Sequence, residues 1–391
     1  MNIPQGYKQT EIGVIPEDWN CTQTQDYIKD ISMGPFGSDI KVDNFVSEGV
    51  PVLNGMNVSE CKLIDKFDHF VTDAKANSFK KAVAVSGDIV ITHRGTLGQV
   101  SYIPKTAKYQ RYVISQSQFR VRFSDAIYPD YIVRYLLSPI GQERLLEFRG
   151  HTGVPALAQP TTNFRNLLLI IPPVEEQRRI AEALSDVDKL IAALDKKIAK
   201  KKLIKQAVMQ QLFAHRHGTM QLLGEVVSVR KGEMLISEKF IYGKIPVVAG
   251  GRTFAGYHNI ANRAAQTITI SASGASAGYV AFHDYPIFAT DCSTISKSDN
   301  FDVKYIYYLL LYHQLELYAA QTGGAQPHVH AKDIEQIKVS YIDDVKEQQA
   351  ISKILSDIDE EIMDLERKRD KYQLLKNGMM QKLLTGQIRI K

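Results

Sequence analysis

From Ile180 the apolar positions of the chain recur in strict alternation of four and three, through Leu184, Val187, Ile191, Leu194 and Ile198, with the spacing continuing to Val208 and Leu212. The pattern returns at Ile351, Leu355, Ile358, Ile362 and Leu365, and runs on through Tyr372, Met379 and Leu383. A seam of this period predicts a heptad helix of about forty residues in each place, roughly 60 Å long. Pro172-Pro173 precedes the first helix, and Asp344-Val345-Lys346-Glu347 sets a capping aspartate three residues before a glutamate at the second. Gly218 and Gly386 stand just past the two ends. A heptad seam has to be covered, and the nearest matching seam is the other copy, so the two helices are expected to pair antiparallel.

The helices repeat in sequence as well as in pattern. Glu176-Gln177-Arg178-Arg179-Ile180-Ala181-Glu182-Ala183-Leu184-Ser185-Asp186-Val187-Asp188 recurs as Glu347-Gln348-Gln349-Ala350-Ile351-Ser352-Lys353-Ile354-Leu355-Ser356-Asp357-Ile358-Asp359, about 171 positions on. The register holds to the end, Met209-Gln210 matching Met380-Gln381. Lys205 and Lys376 interrupt the seam at equivalent places, and Lys201 faces the Tyr372 slot. Such lysines either fix the pairing register or extend to solvent at the helix ends. The run Lys196 to Lys205 is the densest basic stretch; it reads as a solvated helix face or as a cationic strip for phosphate or a partner subunit.

What lies between the helices repeats only in its apolar skeleton. Gly49-Val50-Pro51-Val52-Leu53-Asn54-Gly55 answers Lys244-Ile245-Pro246-Val247-Val248-Ala249-Gly250, and Asp88-Ile89-Val90-Ile91-Thr92 answers Thr267-Ile268-Thr269-Ile270-Ser271. The turn Arg94-Gly95-Thr96-Leu97-Gly98 is set against Ser273-Gly274-Ala275-Ser276-Ala277, and Tyr131-Ile132 against Tyr305-Ile306. Short β-branched runs bounded by Gly and Pro predict strands, and the Tyr-Ile-rich segments predict one packing helix per copy. The expected fold is α+β, with two mixed α/β domains separated by two long antiparallel helices in a coiled coil of circular, pseudo-two-fold symmetry. The boundaries are residues 1–170 and 218–341 for the domains, with 171–217 and 342–391 for the spacer helices and the tail.

Composition narrows the class without naming it. A chain of 391 residues with 44% hydrophobic and 23% charged content has room for two or three domains. No long apolar run or signal-like start is present, so a cytoplasmic location and no membrane partner are expected. Cys21, Cys61 and Cys292 have neither disulfide nor zinc spacing. The net charge of +5 is compatible with a polyanionic partner and does not require one. No phosphate-binding G-x-x-x-x-G-K-[ST] motif occurs. Ile170-Ile171-Pro172-Pro173 shares a Pro-Pro with amino-methyltransferase loops but lacks the flanking acid and aromatic. Asp195-Lys196-Lys197 and Glu366-Arg367-Lys368 match a nuclease pattern only on the heptad rods, and His215-Arg216-His217 and His328-Val329-His330 lack further metal ligands nearby in sequence. The expectation is a recognition protein with no catalytic residue, metal or cofactor of its own.

Two divergent domains alternating with two matched helices, each opened by Glu-Gln-x-x-Ile-x-x-x-Leu-Ser-x-[VI]-Asp, resemble the specificity subunit of type I restriction-modification systems. The resemblance spans the chain, from Pro4-Gln5-Gly6-Tyr7-Lys8 and Pro16-Glu17-Asp18-Trp19 to Leu384-Thr385-Gly386-Gln387-Ile388-Arg389. It implies two target recognition domains, each reading half of a split site in double-stranded DNA. It also implies two modification (methyltransferase) subunits that bind S-adenosylmethionine and methylate adenine N6, and restriction (helicase-nuclease) subunits that use ATP and Mg. The helices would set the gap between half-sites, one to two turns of ~34 Å, and dock partners along Ile180, Leu184, Val187, Ile191, Leu194, Ile351, Leu355, Ile358, Ile362 and Leu365. The other reading is a non-enzymatic coiled-coil scaffold joining two protein-binding modules, which would show no salt-sensitive DNA affinity.

The DNA-facing candidates in the first domain are Arg94, Thr96, Gln116, Gln118, Arg149, His151 and Thr152, since Arg suits guanine and Gln suits adenine in the major groove. Gln116 and Gln118 could instead alternate along a half-buried strand. In the second domain they are Arg252, His258, Ser273, Ser276, Gln326, His328 and His330.

Overall fold

The computed structural model describes residues 3–35, 39–150, 154–214, 218–235, 241–323 and 326–390. By contact, the chain divides into two units, residues 1–193 with 369–391 and residues 194–368. The long helices Val174–Phe213 and Val345–Leu383 each contribute one half to either unit. Their lengths of 40 and 39 residues are those predicted from the seam.

The first unit is built on an antiparallel sheet in the order Ile28–Met33, Gln118–Phe123, Ile89–Thr92, Val100–Tyr102. Its inner strand Ile89–Thr92 is apolar from Ile89 to Ile91 because both faces are covered. Ile89 and Ile91 face a core shared with Tyr131, Tyr135 and Leu136 of the helix Pro129–Leu137, while Val90 joins Leu53, Val58, Ile103 and Tyr112 on the other side. A second pair, Asn20–Gln23 with Leu168–Ile171, leads into the first long helix.

The second unit repeats this plan: Arg230–Lys231, Cys292–Ser296, Thr267–Ser271, Val280–His283, again antiparallel, with Thr219–Leu222 paired to Lys338–Tyr341. Ile268 and Ile270 pack on Tyr305, Ile306, Leu309 and Leu310 of the helix Val303–Tyr312. The opposite face carries Thr267, Thr269 and Ser271, all buried. The polar cost is met locally, for Thr269 Oγ1 lies 2.9 Å from His283 Nε2.

Within each unit the start of one long helix lies against the end of the other, the antiparallel arrangement expected. Ile180 and Leu184 share a core with Leu383 and Leu384 in the first unit, and Ile351 and Leu355 share one with Met209 and Phe213 in the second. Truncating any one of these to alanine removes about 2–5 kcal/mol. Burial also corrects one expectation: Ile180, Leu184, Val187, Ile351, Leu355 and Ile362 are covered by the chain itself, so they assemble the junction and offer no docking surface. Ile191, Leu194, Ile358 and Leu365 are half-buried.

The repeated signature has a physical explanation here. Gln177 is fully buried and donates to the carbonyls of Ala126 and Pro172, both at 2.9 Å, while its Oε1 accepts from Tyr128 N at 2.7 Å. Gln348 does the same in the second unit, donating to Ile342 O at 2.6 Å and accepting from Asp302 N at 2.7 Å. Each glutamine ties the start of a long helix to the N-terminus of its domain's packing helix. The signature glutamate Glu176 accepts from Trp19 Nε1 at 3.0 Å and from Arg389 at 2.6 Å, which pins both the N-terminal segment and the tail to the first unit.

The seam lysines are paired, not splayed into solvent. Lys376 Nζ lies 2.6 Å from Asp188, which also accepts from Arg134 Nη1 at 2.7 Å. Lys205 Nζ bonds both oxygens of Asp359 at 2.6 and 2.7 Å, and Asp359 accepts from Tyr308 Oη at 2.9 Å. Lysine and aspartate are equivalent in the two copies, so the clasp is made twice. Of the basic run, Lys201 and Lys202 also pair across to Glu361 and Glu366, which favours helix-to-helix bridging over a phosphate strip at those positions.

Candidate nucleic-acid interface

One loop arrangement occurs in both units at the end of the central strand. In the first unit, an extended segment around Pro155 to Ala158 lies between the turn at His93–Gly95 and the segment Phe148–Gly150. Leu157 N donates to His93 O at 2.8 Å, Gly95 N to Pro155 O at 2.9 Å, Gly150 N to Ala156 O at 2.8 Å and Ala158 N to Phe148 O at 2.8 Å. In the second unit, Val329 N donates to Ala272 O at 2.9 Å and Gly274 N to Pro327 O at 3.0 Å. Thr322 and His328 exchange both backbone bonds there at 2.8 Å. Gly95 and Gly274 hold φ of +90° and +76°, a conformation that excludes most side chains. The turn then ends at Gly98 and Gly278, whose carbonyls accept from Gln142 and Gln314. The partner of Gly98 is therefore Gly278, one residue beyond the sequence alignment.

This frame brings the candidates of the first unit together. Arg94, Thr96, Gln116 and Arg149 are all exposed on or beside it, with Arg94 bridged to Ala156 and Arg149 to Leu157 through backbone pairing. Burial lowers the pKa of His93, which favours the uncharged ring, and its Nε2 lies 3.1 Å from Gln116 O. It positions the Gln116 loop. His151 and Thr152 lie outside the described residues. Gln118 is a correction: it is fully buried, its amide donating to Asn54 O and accepting from Ser115 N, both at 3.0 Å. It holds the loop rather than facing DNA, the strand alternative weighed from the sequence.

In the second unit Arg252, Gln326 and His330 are exposed, and Ser273, Ser276 and His328 are half-buried on the same frame. Ser273 Oγ donates to Asp291. The imidazoles of His328 and His330 stack with centroids 6.1 Å apart, and among the described residues no group of three metal-ligating side chains forms. His258 is the second correction. It is buried, its ring lies tilted against Phe288 with centroids 4.9 Å apart, and its Nδ1 accepts from Ile260 N at 3.0 Å, so it supports the strand Gly256–His258 from within. His217 and its neighbours at 215 and 216 lie outside the described residues.

Two features that repeat at the same displacement show their meaning only in the structure. One is the Asp188/Asp359 clasp. The other is a pair of adjacent exposed apolar residues on each long helix, Leu203-Ile204 and Leu374-Leu375, of which Leu203 and Leu374 are 66% and 72% exposed. Their signal was the displacement itself, since an exposed apolar pair kept in both copies is not needed by either core. No helix among the described residues is long and apolar enough to cross a membrane.

Two domains on one frame, divergent at the tip and joined by matched helices, define a class of two-module protein. The family model for the type I restriction modification DNA specificity domain matches residues 46–203 and again 219–375, and the chain belongs to that family. It is 26% identical to a putative type I restriction enzyme MjaX specificity subunit of Methanocaldococcus jannaschii, covering 99% of this chain and 97% of that protein. The MjaVIII specificity subunit of the same organism is 24% identical, with 96% and 94% covered. In fold, the chain resembles the crystal structure of a type I restriction-modification S subunit from M. genitalium, at a TM-score of 0.65 and 18% identity over 98% of both chains.

Proposed function

We propose that this chain is the DNA-recognition subunit of a type I restriction-modification complex. Residues 1–170 read one half of a bipartite site in double-stranded DNA and residues 218–341 read the other. The observation that carries this reading is the loop frame made twice, with two equivalent backbone bonds between turn and extended segment, Leu157 N to His93 O and Gly95 N to Pro155 O in one unit and Val329 N to Ala272 O and Gly274 N to Pro327 O in the other, and furnished with different side chains. Arg94, Thr96, Gln116 and Arg149 offer guanidinium, hydroxyl and amide groups in the first module; Arg252, Gln326, His328 and His330 offer a different set in the second. The chain supplies no catalytic group in this reading. Methylation of adenine N6, with S-adenosylmethionine, falls to two modification subunits, and cleavage with ATP and Mg to restriction subunits. The repeated apolar pairs Leu203-Ile204 and Leu374-Leu375 give two copies of one partner equivalent footholds, and their exposure in the free chain is what such docking would relieve.

The test is the pattern of methyladenine in cells carrying this gene with its modification subunit. A bipartite motif is expected, it should vanish when the chain is deleted, and exchanging residues 1–170 for those of another such subunit should alter one half only. A mark that persists after deletion overturns the proposal.

A further inference from the structure

Beside the Gly95 turn, the first unit has an open cleft of about 620 Å³ lined by Asn54, Met56, Lys66, Asp68, Thr96 and Gln99, among others. Two elements form its walls: the loop after the strand Val50–Pro51, and the turn after the central strand, which contributes Thr96 and Gln99. The first wall is braced by hydrogen bonds. Asn57 is buried and donates to Ile64 O at 3.0 Å and Lys66 O at 2.6 Å, while Asn54 Oδ1 accepts from Met56 N at 2.9 Å. Buried Gln118 anchors the same loop through Asn54 O.

Of the groups facing the cleft, Asp68 accepts from Asn54 Nδ2 at 3.4 Å, while Gln99 and Lys66 are less committed. Gln99 Oε1 lies 3.5 Å from Thr92 Oγ1, a weak contact, and its Nε2 meets no protein acceptor among the described residues. Lys66 is exposed and makes no ion pair among them. Met56 is 70% exposed at the rim. Exposed apolar surface beside an uncommitted amide and a cation is an arrangement suited to a base edge with its phosphate.

The second unit shows the same two walls with the space between them filled. Gly278 follows the equivalent turn and Tyr279 stands where the first unit has Gln99. Arg252, from the loop after Gly250, places its guanidinium 5.3 Å from the Tyr279 ring centroid. The corresponding cavity, lined by Ala249, Arg252, Phe254, Tyr279 and His283, is about 30 Å³. One frame thus presents a concave hydrogen-bonding cleft in one module and a closed arginine-tyrosine surface in the other.

We infer that the Asn54–Thr96–Gln99 cleft is a base-reading subsite of the first module, in which the Gln99 amide bonds a base edge and Lys66 the adjoining phosphate. The inference rests on the DNA-recognition reading above and adds the residue that sets one position of one half-site. Bidentate amide pairing makes adenine the base of choice. In the second module the equivalent place presents Arg252 outward.

The experiment uses the full chain co-expressed with its modification subunits, and reads the methylated motif genome-wide. For Gln99→Ala, one base pair in one half-site should become degenerate, with discrimination there falling about tenfold, and the other half unchanged. Gln99→Glu keeps the size of the side chain and should move that position towards cytosine, whose N4 donor suits a carboxylate. Lys66→Ala should weaken binding of purified chain to cognate and non-cognate duplexes alike, lowering the salt slope by about 1. A motif unchanged in both Gln99 variants overturns the subsite. A wild-type chain that directs no bipartite methylation fails the underlying reading instead, so the two failures are told apart.

Discussion

The helix junction and the loop frame are each made twice, and they differ in what was kept. At the junction both backbone and side chains repeat: Gln177 and Gln348 bond the same kinds of groups, and Lys376–Asp188 answers Lys205–Asp359. At the loops only the two backbone bonds from the turn to the extended segment repeat, while Arg94 gives way to Ser273, Ala156 to His328 and Gln99 to Tyr279. A junction buried among fixed neighbours admits few alternatives, because each polar group lost leaves another without a partner. An exposed loop held by backbone bonds can change its side chains freely. The same chain therefore carries a constant part and a variable part for a physical reason.

Matched positions should fail alike and unmatched ones should not. The largest effect is expected at the signature glutamines, where Gln177→Ala or Gln348→Ala leaves buried carbonyls and an amide unpaired, a loss of about 3 kcal/mol. Hydrogen exchange should show the loss in residues 1–193 for the first variant and in 194–368 for the second; equal loss in both units for either variant would contradict local anchoring. Next, Asp188→Ala should remove about 2 kcal/mol, since it strips a partner from buried Arg134. Burial works against the charge of Asp188, yet the bonds from Lys376 and Arg134 outweigh it and hold its pKa below 3.8. A depressed carboxyl contributes stability that is present above the unfolded value and is lost as pH falls through the folded one. Acid titration below about pH 4 should consequently destabilise the wild-type first unit more than the same unit of Asp188→Ala, which denaturant melts across that window can measure.

At the loops, Arg94→Ala and Arg252→Ala should each weaken cognate DNA binding by about 1–2 kcal/mol, and each should relax a different half-site. Relaxation of the same half by both would collapse the two-module comparison. The smallest effect belongs to the clasp lysines. Lys205→Met and Lys376→Met should each shift stability by about 1 kcal/mol or less, because the pairs are partly open to solvent. A large loss from one and none from the other would show that the clasps are not equivalent.

Periodicity and internal repetition were enough to determine the two long helices, their ends, their antiparallel pairing and the doubled plan of the domains. Heptad spacing and caps are local properties, and a repeat needs no coordinates to be seen. Only the tertiary structure decided what each polar residue does. Gln118 and His258 look like their exposed neighbours in sequence, yet packing against Asn54 and Phe288 turns both into internal supports. Lys205 and Lys376 look like flaws in a seam, and become bonds because an aspartate from the other helix, more than 150 residues away, meets each of them. The cleft beside Gly95 is set by segments some forty residues apart, so its shape, and its closure by Arg252 and Tyr279 in the second unit, had no signature along the chain. Residue type states what a side chain is able to bond, and the fold settles whether its partner is protein or solvent.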